Sequence, residues 1–221
     1  MRIGTHLSLV VVVLLLLAVV PAATGTEPTS TPAAQIREYR ESGDWGRDIA
    51  KQTKKAKAWL KQRTQGRRTP SKPALVLDID ETALDNYPCV DEKGGLPYDA
   101  GVFAGCVVAY DAPAVRPVLS LFKRAKQLGV AVFFVTGRPE GLRAGTLSNL
   151  RAAGYRGKYE LHLRPGDYQG ESAVPPKRAA RKAIEKRGFT ILANVGDQRS
   201  DLKGGYSERR YYLPNPIYFT E

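Results

Sequence analysis

The chain has 221 residues, 43% of them apolar, a formal net charge of +12 and two cysteines. That length supports one well-cored domain with decorations, and the composition excludes a disordered or fibrous chain. The positive charge would attract phosphorylated ligands, cell-wall polymers, nucleic acid or anionic membrane, but no zinc-finger spacing or aromatic RNA-binding motif argues for specific nucleic-acid recognition.

At the N-terminus, Arg2 and His6 precede an uncharged run from Leu7 to Val20, followed by Pro21-Ala22-Ala23-Thr24-Gly25. This is the layout of a secretory signal peptide over residues 1–23. As a helix the apolar run would cover about 21 Å, short of the roughly 30 Å hydrocarbon core, so export with cleavage and no lasting membrane span is expected. No cysteine lies near it to carry a lipid. Residues 24–73 read as a linker and an N-terminal helical arm, with structure expected from near Gln35. The main helix of the arm is predicted over 45–63, capped by Ser42 or Asp44, with Ile49, Ala56, Trp59 and Leu60 near one face. Lys51, Lys54, Lys55, Lys57 and Lys61 fall largely elsewhere, as a solvated face requires.

Residues 74–221 form the predicted core. Ala74-Leu75-Val76-Leu77 reads as a buried strand that ends in Asp78-Ile79-Asp80-Glu81-Thr82, whose two aspartates share one side of the chain. Ionised carboxylates at the end of a buried strand need a cation or a proton, and strand carboxyl ends are where parallel α/β sheets bind ligands. Residues 83–112 follow as a small loop-rich cap insertion containing Pro88, Gly94, Gly95, Pro97, Gly101 and Gly105. Within it Asp85, Asn86, Tyr98 and Asp99 are candidate substrate contacts or plain surface residues. Cys89 and Cys106 both lie there; in an exported protein they read as one disulfide, the alternative being two unrelated buried thiols. No histidine accompanies them, since His6 and His162 lie in the leader and in a strand, so a thiolate metal site is not expected.

A helix is predicted from Pro113 to Gln127, stopped by Gly129. The apolar run 130–135 then delivers Thr136-Gly137-Arg138, a hydroxyl and a pliant backbone suited to an oxyanion. A helix over 139–153, a strand over 159–163 and a helix over 175–186 follow, the last carrying Lys177 near its start. Strand 191–195 ends in Gly196-Asp197-Gln198-Arg199-Ser200-Asp201, and 211–213 reads as an edge strand. The alternation predicts a Rossmann-like parallel α/β sheet.

In order, D-x-D-x-T, T-G-R, a lysine and G-D-x-x-x-D resemble the four motifs of the haloacid dehalogenase-like (HAD) hydrolases. With the leader, Tyr39-Arg40-Glu41-Ser42-Gly43-Asp44 and Leu213-Pro214-Asn215-Pro216-Ile217-Tyr218, the chain is similar to the subfamily IIIB acid phosphatases, a group that includes class B-like enzymes and plant vegetative storage proteins. Pro175-Pro176 before Lys177 departs from the aromatic-Lys-Ser context of that group. The resemblance implies a HAD fold and a secreted, Mg²⁺-dependent phosphatase acting on small phosphomonoesters, such as nucleotides or sugar phosphates, through an aspartyl-phosphate. Asp78 would attack phosphorus, while Asp80 would protonate the leaving oxygen and then activate water. Thr136, with Gly137 and Arg138, would grip phosphoryl oxygens, and Lys177 would neutralise charge building on them; for Arg138 a structural ion pair is the alternative. Asp78, the backbone carbonyl of Asp80 and Asp197 would hold Mg²⁺, with Asp201 supporting the metal or orienting Lys177. A non-enzymatic storage or binding protein on the same scaffold and a phosphotransferase are the alternative functions; the presence of Asp78 with its acid partner favours an enzyme.

Overall fold

The central strand β1 (Pro73–Leu77) alternates in its loyalties. Leu75 and Leu77 pack into one cluster, with Ile49 and Leu60 of α2 (Asp44–Thr64) and Val118, Leu121 and Phe122 of α5 (Arg116–Gln127). Ala74 and Val76 pack into another, with Ile184 of α7 (Val174–Lys186). A strand buried on both faces needs helices on both sides, and this strand has them. The computed structural model describes residues 31–66 and 68–219. The leader expected over 1–23 lies outside the described residues.

The sheet has five strands in the order β3-β2-β1-β4-β5, all pairs parallel, with β2 at Ala131–Pro139, β3 at Glu160–Arg164, β4 at Thr190–Gly196 and β5 at Arg209–Tyr212. It is the parallel α/β architecture expected. Among the described residues, no helix is long and apolar enough to cross a membrane.

Local differences from the sequence reading have physical causes. Helix α1 (Pro32–Glu41) begins earlier than Gln35, because Thr31 Oγ1 accepts the Ala34 N–H at 3.2 Å and Pro32 supplies a preset φ for the first turn. Gly43, at φ +79°, precedes α2 without a side-chain cap; the Ser42 hydroxyl donates instead to the Asp44 carboxylate at 3.0 Å. Pro113 does not start α5. Its carbonyl accepts the Asp85 N–H at 2.9 Å, the Val115 N–H donates to Ala83 at 3.0 Å, and Pro117 takes the first-turn position. After β2, a 3-10 turn (Glu140–Leu142) separates the strand from α6 (Arg143–Ala152).

The insertion carries more regular structure than its prolines and glycines suggest. It holds α3 (Tyr87–Glu92) and α4 (Ala100–Ala109), joined by a disulfide between Cys89 and Cys106. Helix α8 (Arg199–Leu202) is a single turn after β4.

Candidate active site

Beyond Leu77 the chain stays tied to the sheet, the Asp78 N–H donating to the Val195 carbonyl at 3.0 Å. It then folds back on itself: the Ile79 carbonyl accepts the N–H groups of Ala83 and Leu84, both at 2.8 Å, and Glu81 sits at φ +53°. Asp78 and Asp80 both face a cavity of about 430 Å³, lined also by Gly137, Lys177, Gln198, Ser200 and Tyr218. The end of β4 brings Asp197 beside them, and the first turn of α7 brings Lys177.

The Lys177 ammonium donates to Asp78 Oδ1 at 2.8 Å and to Asp201 Oδ1, all three side chains being buried. Burial alone would lower the lysine pKa, but the charges of Asp201 and Asp78 outweigh it and raise it. The other oxygen of Asp201 accepts the Gln198 N–H at 2.8 Å. Asp197 is held by three donors: Thr82 Oγ1 at 2.7 Å, Gln198 Nε2 at 2.6 Å and Asn215 Nδ2 at 2.9 Å. Even so, burial and then the charge of Asp201 push the Asp197 carboxyl up to about 6. Burial, followed by Asp201, also raises Asp78 well above the usual carboxylate range.

Carboxylate oxygens of Asp78, Asp197 and Asp201 lie within 4.8 Å of one another. Three buried carboxylates against one ammonium leave an excess of negative charge that a divalent cation would balance, and an all-oxygen donor set suits a hard ion. These residues therefore fit a hard divalent cation.

Asp80 is held by other partners. Arg138 donates to it from Nη2 at 2.6 Å and from Nε at 3.1 Å, and Asn86 Nδ2 donates at 3.0 Å. Burial opposes ionisation of Asp80, but the Arg138 charge and these hydrogen bonds prevail and keep it below the usual carboxylate range. Arg138 is itself buried, its Nη1 reaching Thr146 Oγ1 at 3.3 Å. Thr136 is buried too and accepts the Arg138 N–H at 3.2 Å, so of the T-G-R segment it is Gly137 that lines the cavity.

The insertion reaches the site through Asn86, whose N–H donates to Glu81 Oε1 at 2.8 Å and whose Nδ2 also donates to Glu81 Oε2 at 3.1 Å. The other insertion candidates go elsewhere. Asp85 pairs with Arg40 of α1, Asp99 caps α4 by accepting the Val102 N–H at 2.8 Å, and Tyr98 packs its ring 5.5 Å from that of Tyr218. Several supporting residues carried no chemical signal in the sequence: Gln198, Asn215, Tyr218 and Arg181. Arg181 is fully buried and donates to the carbonyls of Asp201 at 2.6 Å, Gly205 at 3.1 Å and Lys203. Its only trace is its position four residues after Lys177, on the same face of α7.

Comparison with known proteins gives a consistent picture. The family model described as HAD superfamily, subfamily IIIB (Acid phosphatase), matches residues 19–221. "Acid phosphatase 1" of Solanum lycopersicum is 35% identical over 190 residues, 85% of this chain and 74% of that protein. "Stem 28 kDa glycoprotein" of Glycine max is 34% identical over 155 residues, and "Vegetative storage protein 1" of Arabidopsis thaliana is 29% identical over 148. The chain matches only 61% and 54% of those two proteins, respectively, less than two thirds of each. Among solved structures, the class C acid phosphatase of Bacillus anthracis shares the fold, with a TM-score of 0.65 at 21% identity over 82% of both chains.

Proposed function

This chain belongs to subfamily IIIB of the HAD superfamily, the acid phosphatases, and we propose that it hydrolyses phosphomonoesters through an aspartyl-phosphate on Asp78. The observation that carries this reading is that two carboxylates of one motif face a single cavity with opposite companions. Asp78 lies against Lys177 and the acidic cluster, whereas Asp80 is fixed by Arg138 and Asn86. A nucleophile and a proton carrier need different surroundings. Without metal, burial raises Asp78, and Arg138 prevails over burial to lower Asp80. These roles therefore require a bound cation to favour the Asp78 carboxylate and the incoming phosphoryl charge to favour protonated Asp80.

In this reading an oxygen of Asp78 attacks phosphorus while the bond from phosphorus to the leaving oxygen breaks, and Asp80 supplies the proton that the leaving oxygen takes up. Asp80 then accepts a proton from water as that water attacks phosphorus, releasing phosphate and restoring Asp78. Lys177 balances charge on the phosphoryl oxygens and the backbone at Gly137 orients them, while Thr136, expected to grip them, is instead buried behind the cavity against the Arg138 N–H. Arg138 acts from behind by aiming Asp80. Asp78, Asp197 and the backbone carbonyl of Asp80 would hold Mg²⁺, with Asp201 supporting the site and orienting Lys177. When bound, that ion screens the negative charge of nucleophile and phosphoryl group as they meet.

The presence of Asp78 together with Asp80 and Asp197 speaks for an enzyme over a storage protein. The leader pattern and the Cys89–Cys106 disulfide support a working place outside the cytoplasm. The test is phosphate release from p-nitrophenyl phosphate, nucleotides and sugar phosphates, with EDTA and with added Mg²⁺. Release that depends on Mg²⁺ is expected. No release from any substrate would reject the phosphatase reading, and full activity in metal-free buffer would reject the cation alone.

A further inference from the structure

Two neighbouring helices carry an uncompensated block of positive charge. Helices α2 and α5 pack beside each other on the same face of the sheet. No carboxylate occurs between Ile49 and Leu77 or between Ala112 and Pro139, so beyond the first turns of α2 neither helix holds an acid. On α2, Lys54, Lys57 and Lys61 recur at helical spacing; on α5, Ser120, Lys123, Arg124 and Gln127 do the same.

Between the two rows lies a concavity of about 450 Å³ lined by Lys57, Lys61, Ser120, Lys123, Arg124 and Gln127. Lys57 Nζ donates to Ser120 Oγ at 2.8 Å, linking the helices, and partial burial lowers the lysine pKa. Isolated surface lysines need no explanation, but these cations are gathered around one concavity on two helices whose facing stretches carry no carboxylate. Arg37, Arg63, Arg143 and Arg187 each pair with a carboxylate. Among the described residues, none of the four cations lining the groove has an ion pair. Like charges gathered without counter-charge leave a potential that a multivalent anion relieves.

We propose that this groove docks a linear polyanion, a flexible chain of phosphate groups without bases or acyl chains. Its chemistry favours that occupant over the other anionic polymers. The exposed large apolar residues, Tyr98, Val108, Tyr212 and Phe219, all lie outside α2 and α5, so the groove offers nothing to insert into a bilayer. Single-stranded nucleic-acid sites stack bases on aromatic rings. Trp59, on α2 between Lys57 and Lys61, is covered by the Arg209 guanidinium at 3.7 Å and donates its N–H to the Leu192 carbonyl at 2.9 Å, and Phe122 of α5 is buried. Two rows of cations, the α5 row also carrying a hydroxyl and an amide, instead match a thin chain of repeating phosphates. No residue of the groove recurs in the catalytic cavity, so the proposal stands independently of the reaction.

The experiment measures binding of labelled inorganic polyphosphate by fluorescence anisotropy across a salt series. Lys61→Gln/Lys123→Gln/Arg124→Gln should weaken binding by about tenfold or more and reduce the slope of log K against log salt by about 2, since three phosphate contacts are lost. Lys123→Gln alone should give about one third of that slope change. A variant of equal charge loss elsewhere, Lys182→Gln/Lys186→Gln/Lys203→Gln, should stay within about twofold of the wild type if the groove rather than net charge is read. Turnover of p-nitrophenyl phosphate, unchanged in all variants, reports that each is folded. Equal weakening by the two triple variants, no binding by the wild type, or tighter binding of oligo(dT) or of phosphatidylserine vesicles than of polyphosphate would overturn the proposal.

Discussion

Asp78 and Asp80 stand two residues apart and answer to different cations, Lys177 and Arg138. Asp78→Asn should therefore abolish turnover and leave no phosphate-labelled protein. Asp80→Asn should lower turnover of poor leaving groups by about 10²–10⁴-fold, yet still become labelled by p-nitrophenyl phosphate and stall there. Rapid-quench trapping distinguishes the two, and the opposite labelling pattern would exchange their roles. Arg181→Met removes the side-chain donor of the Lys203 and Gly205 carbonyls and leaves the Asp201 carbonyl to Asn194 alone, at about 1–3 kcal/mol for each one left unsatisfied. Urea unfolding at constant m should show a loss of at least about 2 kcal/mol; a change within about 0.5 kcal/mol would mean that water replaces the guanidinium. The first-motif aspartates were legible because a buried apolar run ending in carboxylates is costly. Arg181 was not, because its acceptors are backbone carbonyls, which every residue possesses and no sequence pattern marks. Asn215 was legible only as part of the C-terminal segment that carries the resemblance, without a role: its contact with Asp197 spans 18 residues of chain and depends on a turn that only the fold creates.

The strands and their crossover helices were readable as elements, since long apolar runs alternate with amphipathic stretches. The insertion was harder. Helix α4, Ala-Gly-Val-Phe-Ala-Gly-Cys-Val-Val-Ala, is apolar almost all round and shows no helical face, while its glycines and the prolines nearby suggest loop. Its register is set by the bond from Cys106 to Cys89 and by Phe103, whose ring lies 4.8 Å from that of Tyr218. Thiol titration of the unreduced, denatured protein should find no free cysteine. Replacing both cysteines by serine should cost about 3 kcal/mol in the entropic description of a loop of this length. Limited proteolysis of that variant should cut first between α3 and α4; cleavage elsewhere first would show that the disulfide does not hold the insertion.

For the whole molecule, the acidic cluster couples metal, pH and stability. The folded chain raises Asp197 from 3.8 to about 6 and Asp78 in the same direction, so without metal it holds these protons more tightly than the unfolded chain does. That contribution is present below about pH 4 and is lost as the pH rises through about 6. Mg²⁺ should offset the loss, so its gain in Tm should be larger near pH 7 than near pH 4.5, as calorimetry with and without EDTA would show. Equal gains at both pH values would remove these carboxylates as ligands. The site is also a meeting of distant parts of the chain. Trp45 Nε1 donates to the Pro214 carbonyl at 2.9 Å across 169 residues, and the next residue, Asn215, clamps Asp197. Contacts of such separation close after local ones. A refolding chain should regain its helices before it regains catalysis, and a half-made molecule, whether newly synthesised or partly unfolded, is chemically harmless to the phosphate esters around it.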